Sequence, residues 1–160
     1  MALGDNTLRS AAGNSQRGRN PYMVQTTLNW ATALSDKGSA LAAADVIPVI
    51  AVPKGTMVLN AGIEVDTATD GSTFTVDLGM VDADVFVDGF DATSAAAVVA
   101  QNPAAYQPVM AVADDNIDVT IASLSGGAVT SGKFRVWAVL IDCTDMGDTS
   151  ANEVARDALA

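Results

Sequence analysis

A chain of 160 residues with eight basic and nineteen acidic side chains, net charge −11 and pI near 4.1, is one domain's length. It is a poor general ligand for nucleic acid, whose phosphates call for clustered Lys and Arg. It contains no histidine and one cysteine, Cys143, which removes the commonest general base and metal ligand, the Ser-His and Cys-His catalytic arrangements and any intrachain disulfide.

Apolar residues make up 49% of the chain but aromatics only 5%. With Val, Ile and Thr frequent through the middle, this composition predicts an all-β protein with a core that takes about two-thirds of the unfolded surface out of water. No run of about twenty apolar residues could span a membrane, and the first thirty residues hold no signal-like apolar stretch. The expectation is a soluble protein made in the cytoplasm, used there or assembled there into something larger.

In chain order, residues 1–22, MALGDNTLRSAAGNSQRGRNPY, mix Gly, Asn, Ser, Gln and Arg without a period and predict an extended arm. Within residues 1–19, Arg9, Arg17 and Arg19 face Asp5 alone, a local +2 that leaves −13 for the remainder. Charge alone supports equally an arm that seeks an acidic surface and a solvated tail. A β-domain is predicted over 23–143 and a tail or short helix over 144–160, where Ser150-Ala151-Asn152-Glu153 has capping-box spacing ahead of Val154, Ala155, Ala158 and Leu159.

Met23 to Trp30 predicts a first strand with Val24, Thr26, Leu28 and Trp30 on one side, and Ala31 to Ala44 a turn-rich connection. Asp45 to Gly79 reads as a three-strand meander. Its strands are Asp45–Val52, Thr56–Asp66 and Thr73–Leu78, with Met57, Leu59, Ala61, Ile63 and Val65 on one face of the second and Phe74, Val76 and Leu78 on one face of the third. Pro48 predicts an edge position or a bulge, and Asp70-Gly71 a tight hairpin. Residues 81–91 read as an acidic loop. Ala92–Gln101 reads as a short helix capped by Thr93 or Ser94 and stopped at Asn102-Pro103.

Three more strands follow, Gln107–Ala113, Asn116–Leu124 and Lys133–Asp142, separated by Asp114-Asp115 and by Gly126-Gly127. On the last, Phe134, Val136, Ala138 and Leu140 form one apolar face and Trp137, Val139 and Ile141 a second. A second apolar face needs a cover, either a loop of the same chain or, the favoured reading, a subunit interface. Trp30 and Trp137, both in predicted strands, are expected to be packed.

No residues compose a phosphate-binding loop, since Ser125-Gly126-Gly127 lacks the following Lys. Asp82, Asp84, Asp88 and Asp91 invite a test for calcium or for paired-carboxylate catalysis. An EF-hand loop starting at Asp84 would put Phe86 at its third position and Ala95 at its twelfth, where a carboxylate is required. A solvated acidic loop is expected, with no bound metal, no cofactor and no enzymatic activity. Cys143, flanked by Asp142 and Asp145, sits where a thiolate is disfavoured and is expected to be structural.

The run Leu41-Ala-Ala-Ala-Asp45-Val-Ile-Pro-Val-Ile-Ala-Val-Pro53-Lys-Gly-Thr56, with Val58, Gly62-Ile-Glu-Val65, Asp77-Leu-Gly79 and Asp84-Val-Phe86, resembles small structural proteins of tailed-bacteriophage virions, in particular capsid decoration or cement proteins. The resemblance covers roughly residues 40–95. It implies a jelly-roll-like β-sandwich on the capsid exterior, assembled in the host cytoplasm, a homo-oligomer with a trimer favoured over a dimer, and the phage's major capsid protein as partner. Neither nucleic acid nor membrane is expected as a partner. Arg9, Arg17, Arg19 and Tyr22 would then be the arm's capsid contacts, and Trp137, Val139 and Ile141 the subunit interface. The alternatives are a jelly-roll carbohydrate-binding module of a phage fibre and a tail-tube or head-completion protein.

Overall fold

A computed structural model describes residues 9–10, 20–93, 99–100 and 108–143. Ten strands and one helix run in the order β1 (Arg9–Ser10), β2 (Tyr22–Asn29), α1 (Trp30–Lys37), β3 (Val46–Val52), β4 (Thr56–Thr67), β5 (Thr73–Gly79), β6 (Val87–Asp91), β7 (Val99–Ala100), β8 (Val109–Met110), β9 (Asp115–Ser125) and β10 (Lys133–Asp142). They form two packed sheets. One has the order β1-β3-β9-β5-β6 and the other β2-β10-β4-β7, with β8 also on β4. Every pairing is antiparallel except the parallel β1–β3 pair. The protein is an all-β sandwich.

The core follows from alternation. Val58, Ala61, Ile63 and Val65 of β4 and Phe134, Val136, Ala138 and Leu140 of β10 point inward against Phe74, Val76 and Leu78 of β5 and Ile117, Val119 and Ile121 of β9, all buried. Trp30 sits at one end of this layer, edge-on to Phe74 at 4.8 Å and to Phe134 at 5.2 Å. Such edge-to-face contacts add about 0.5–1.5 kcal/mol each beyond burial.

Several sequence expectations change. Met57, read on one face with Leu59, Ala61, Ile63 and Val65, lies on the other: a register shift opposite Val139 and Leu140 leaves Leu59 at the irregularity and turns Val58 inward instead. The predicted meander is not one. β3 and β5 lie in one sheet and β4 in the other, so the chain crosses the sandwich at each connection. Asp70-Gly71 is correspondingly an inter-sheet link and not a hairpin, and Gly71 is outside the left-handed region that a type I′ turn requires. The Asp70 carboxylate instead accepts bonds from the Thr130 amide at 2.9 Å, the Ser131 amide at 3.1 Å and the Thr130 hydroxyl. Those bonds hold its pKa down at about 2.

Residues 30–37, predicted as strand end and loop, are helix α1. Asn29 caps it by accepting from the Ala31 amide at 3.0 Å, and left-handed Gly38 closes it with its amide on Leu34 and Ser35 carbonyls. Trp30 is therefore packed as expected, but from a helix. Val87–Asp91, predicted as loop, is β6 on the edge of β5.

The helix predicted over Ala92–Gln101 is contradicted at its end, where Val99–Ala100 pairs as a strand with Ile63 and Glu64; residues 94–98 lie outside the described residues. Among the described residues of the strand predicted over Gln107–Ala113, only Val109–Met110 pairs as a strand. The bulge expected from Pro48 is present, as a register shift between Pro48 and Ile50. The helix or tail predicted for 144–160 lies outside the described residues.

Candidate interaction surfaces

Three surfaces carry chemistry. The first is the outer face of the β2-β10-β4 sheet. Trp137 lies opposite Gln25 and Gly62, Val139 opposite Met23 and Asn60, and Ile141 opposite Met57, which in turn lies opposite Met110. Strand alternation therefore lines up Met23, Val139, Trp137, Ile141, Met57 and Met110 on one outward face.

Trp137, Val139 and Ile141 are each half-buried, while Met23 is 61% and Met110 37% exposed. The second apolar face read from the sequence thus exists and is only half covered, Trp137 included. At its border Arg135 bonds Glu64 at 2.9 Å. Within it, opposite Val139, the Asn60 side-chain carbonyl is buried without a hydrogen-bond donor, an arrangement that typically costs about 1–3 kcal/mol.

The second surface is the outer face of the other sheet. Asp77, Thr120 and Asp118 share it, Asp77 opposite Thr120 and Asp118 opposite Pro48 and Gly79. The loop after β5 folds back across this face at Gly79. A Cβ there would stand 1.8 Å from the Asp82 carbonyl oxygen, so only glycine permits the crossing. One Asp118 carboxylate oxygen is buried with no partner. Burial, and secondarily the charge of Asp115, raise its pKa to about 6.

Asp77 is raised too, by burial ahead of the charges of Asp88 and Asp84, although the Gly89 amide donates to it at 2.7 Å. Asp91 goes the other way, held low by the Thr93 hydroxyl and amide. Among the described residues no three His, Cys, Asp or Glu side chains converge in an array able to hold a metal ion.

The third surface is the side of the sandwich where the edges of both sheets meet, β2 from one and β3 from the other, with β1 against both. β1 pairs Arg9 with Ile50 and Ser10 with Ala51. Beside the start of β3 a cavity of about 300 Å³ is lined by Ala33, Leu41, Val46 and Ile47, with the Lys37–Asp45 ion pair in its wall. Beside the end of β3 an open groove of about 410 Å³ is lined by Ala51, Val52, Pro53, Asp114, Asp115 and Asn116.

Of the residues predicted for the arm, Arg9 is the first residue of β1, and Arg17 and Arg19 lie outside the described residues. Tyr22 belongs to the body, opening β2 opposite Leu140 and half-buried. Cys143 is exposed, its amide bonded to the Gly55 carbonyl at 2.9 Å. The sequence reading missed Asp118 and Gly79. The only local signal was one Asp and one Gly at the end of strand patterns, which by itself says nothing of a loop folding back.

No protein-family model matches the chain, and no curated protein matches it significantly. Its fold, however, matches solved chains. One is in the capsid of Ralstonia phage GP4, with TM-score 0.56 and 16% identity over 86% of this chain and 92% of that one. Another is in the capsid asymmetric unit of cyanophage Pam1, with TM-score 0.58 and 18% identity over 83% and 92%. The class of the molecule is thus an all-β sandwich of a fold found in phage capsids. At these identities the likeness is one of fold.

Proposed function

We propose that this chain is a virion structural protein that binds the outer surface of an assembled phage capsid and reinforces the junctions between capsomers, as a decoration or cement protein. The observation that carries this reading is the fold match to two capsid chains, each covered over 92% of its length. The likeness is therefore to whole small chains and not to one domain of a much larger shell protein. The strand order β3-β9-β5-β6 packed on β2-β10-β4-β7, with connections crossing between the sheets, supports a jelly-roll reading of the sandwich.

In this reading the protein has no enzymatic role and its partner is the major capsid protein. Arg9, Arg17 and Arg19 meet acidic groups on the shell, and Tyr22, at the start of β2, is an apolar anchor to it. Trp137, Val139 and Ile141 form the interface of a homo-oligomer, a trimer by preference.

Co-sedimentation with expanded, undecorated capsids of the phage that encodes the protein tests this. The full chain should bind saturably, more weakly as salt rises, and a full-length variant with Arg9, Arg17 and Arg19 all changed to Ala should bind less. No binding by the full chain would sink the capsid reading, and glycan-array binding in its place would favour a carbohydrate-binding module.

A further inference from the structure

We infer that the β3 edge is an acceptor site for the N-terminal strand of a second copy of this chain, so that neighbouring subunits exchange their Arg9–Ser10 segments. The inference rests on the homo-oligomer in the proposed function and not on capsid binding.

The first observation is what the edge already accepts. Ser10 and Arg9 lie parallel to Ala51 and Ile50, so the edge takes an extended strand of this very sequence. The pairing stops there. Among the described residues no strand pairs with Val46–Val49 on that side, and none lies beyond β2 in the adjoining sheet. Two sheet edges left open side by side are a template for pairing with another chain, and natural proteins cover such edges.

The second observation is charge. The groove at the end of β3 carries Asp114 and Asp115 beside Ala51, within a remainder of the chain of net −13, whereas residues 1–19 carry +2. The segment that fits the edge by backbone pairing also fits it by charge.

The third is tether length. Residues 11–21 alone join β1 to β2, the first strand of the body that follows it. Residues 11–21, fully extended, reach up to about 35–40 Å, about the diameter of a domain this size. The same two-residue contact can be made on a neighbour as readily as on the chain's own β3. Exchange of an identical element is a low-cost route to an oligomer because it needs no new surface.

The test is a full-length chain with Ser10→Cys and Ala51→Cys in a Cys143→Ser background, oxidised with a mild disulfide donor and run on a denaturing gel with and without reductant. Exchange predicts covalent dimers and larger species that reductant returns to single chains and that neither single-cysteine variant forms. A link formed only within single chains would overturn the inference, as would no link at all in a variant that melts like the parent. Capsid co-sedimentation of the unaltered protein separates the two failures. Binding without inter-chain links removes arm exchange alone, and inter-chain links without binding remove the capsid reading alone.

Discussion

The outer faces of the two sheets rest on one shared core yet carry opposite chemistry. On β10 and its neighbours the outward residues are Trp137, Val139, Ile141, Met57 and Met23, bordered by the Arg135–Glu64 pair. On β9 and β5 they are Asp118, Thr120, Asp77 and Thr75, whose hydroxyl bonds Ser123 at 3.0 Å. Inward residues of both sheets are alike in being apolar and buried. Inward alternation decides that the sandwich forms. Outward residues decide the chemistry each face presents, apolar on one side and acidic and polar on the other.

The sharpest way to break this comparison is along β10 itself. Phe134 points inward, fully buried against Trp30, and Phe134→Ala should lower unfolding free energy by about 3–5 kcal/mol in a denaturant melt. Trp137, three residues on, points outward. Trp137→Lys should change stability by roughly 1 kcal/mol or less while lowering the particle mass seen by light scattering. Equal destabilisation by the two, with mass unchanged, would make the outer face part of the monomer's own packing.

A smaller effect should appear on the acidic face, and only over part of the pH range. Asp118 has a folded-state pKa near 6 against an ordinary value of 3.8. Between about pH 4 and 6 the unfolded chain loses this proton before the folded one, so the group's contribution to stability falls as pH rises through that window and stays low above it. Asp118→Asn should therefore raise Tm at pH 7 and leave it nearly unchanged at pH 4. A Tm gain of the same size at both values would show that ionisation of Asp118 is not the cause. The smallest effect is expected at the border pair: Arg135, with 44% of its side chain exposed, should lose about 1 kcal/mol or less as Arg135→Ala, and less still in high salt.

Legibility in the sequence followed the range of the forces involved. Thr56–Thr67, Thr73–Gly79 and Lys133–Asp142 were readable to within a residue at each end, but the bulge in Thr56–Thr67 that turns Val58 inward and Met57 outward was not. Helix α1 was legible in principle: Asn29 and Gly38 are cap residues and Trp30, Ala33, Leu34 and Lys37 fall at helical spacing. The preceding alternation through Trp30 hid it, because a single residue can finish one period and begin another. The apolar outer face of β10 was visible as a double stripe. The Asp118 site was not, since it exists only because a loop some forty residues earlier in the chain returns over Gly79.

Period-two alternation, turn residues at the breaks and the lack of histidine were enough to define an all-β chain with strands of known inward faces and no usual catalytic inventory. They are local properties, decided by sterics and burial within a few residues. Which sheet each strand joins was decided only in three dimensions. Asp70-Gly71 suits a hairpin as well as an inter-sheet crossing, and the choice fell to pairing of β5 with β9, Phe74 opposite Leu124 and Val76 opposite Ile121. Such long-range partners contribute their burial energy only after the chain has closed the loop between them, so no short window of sequence records the outcome.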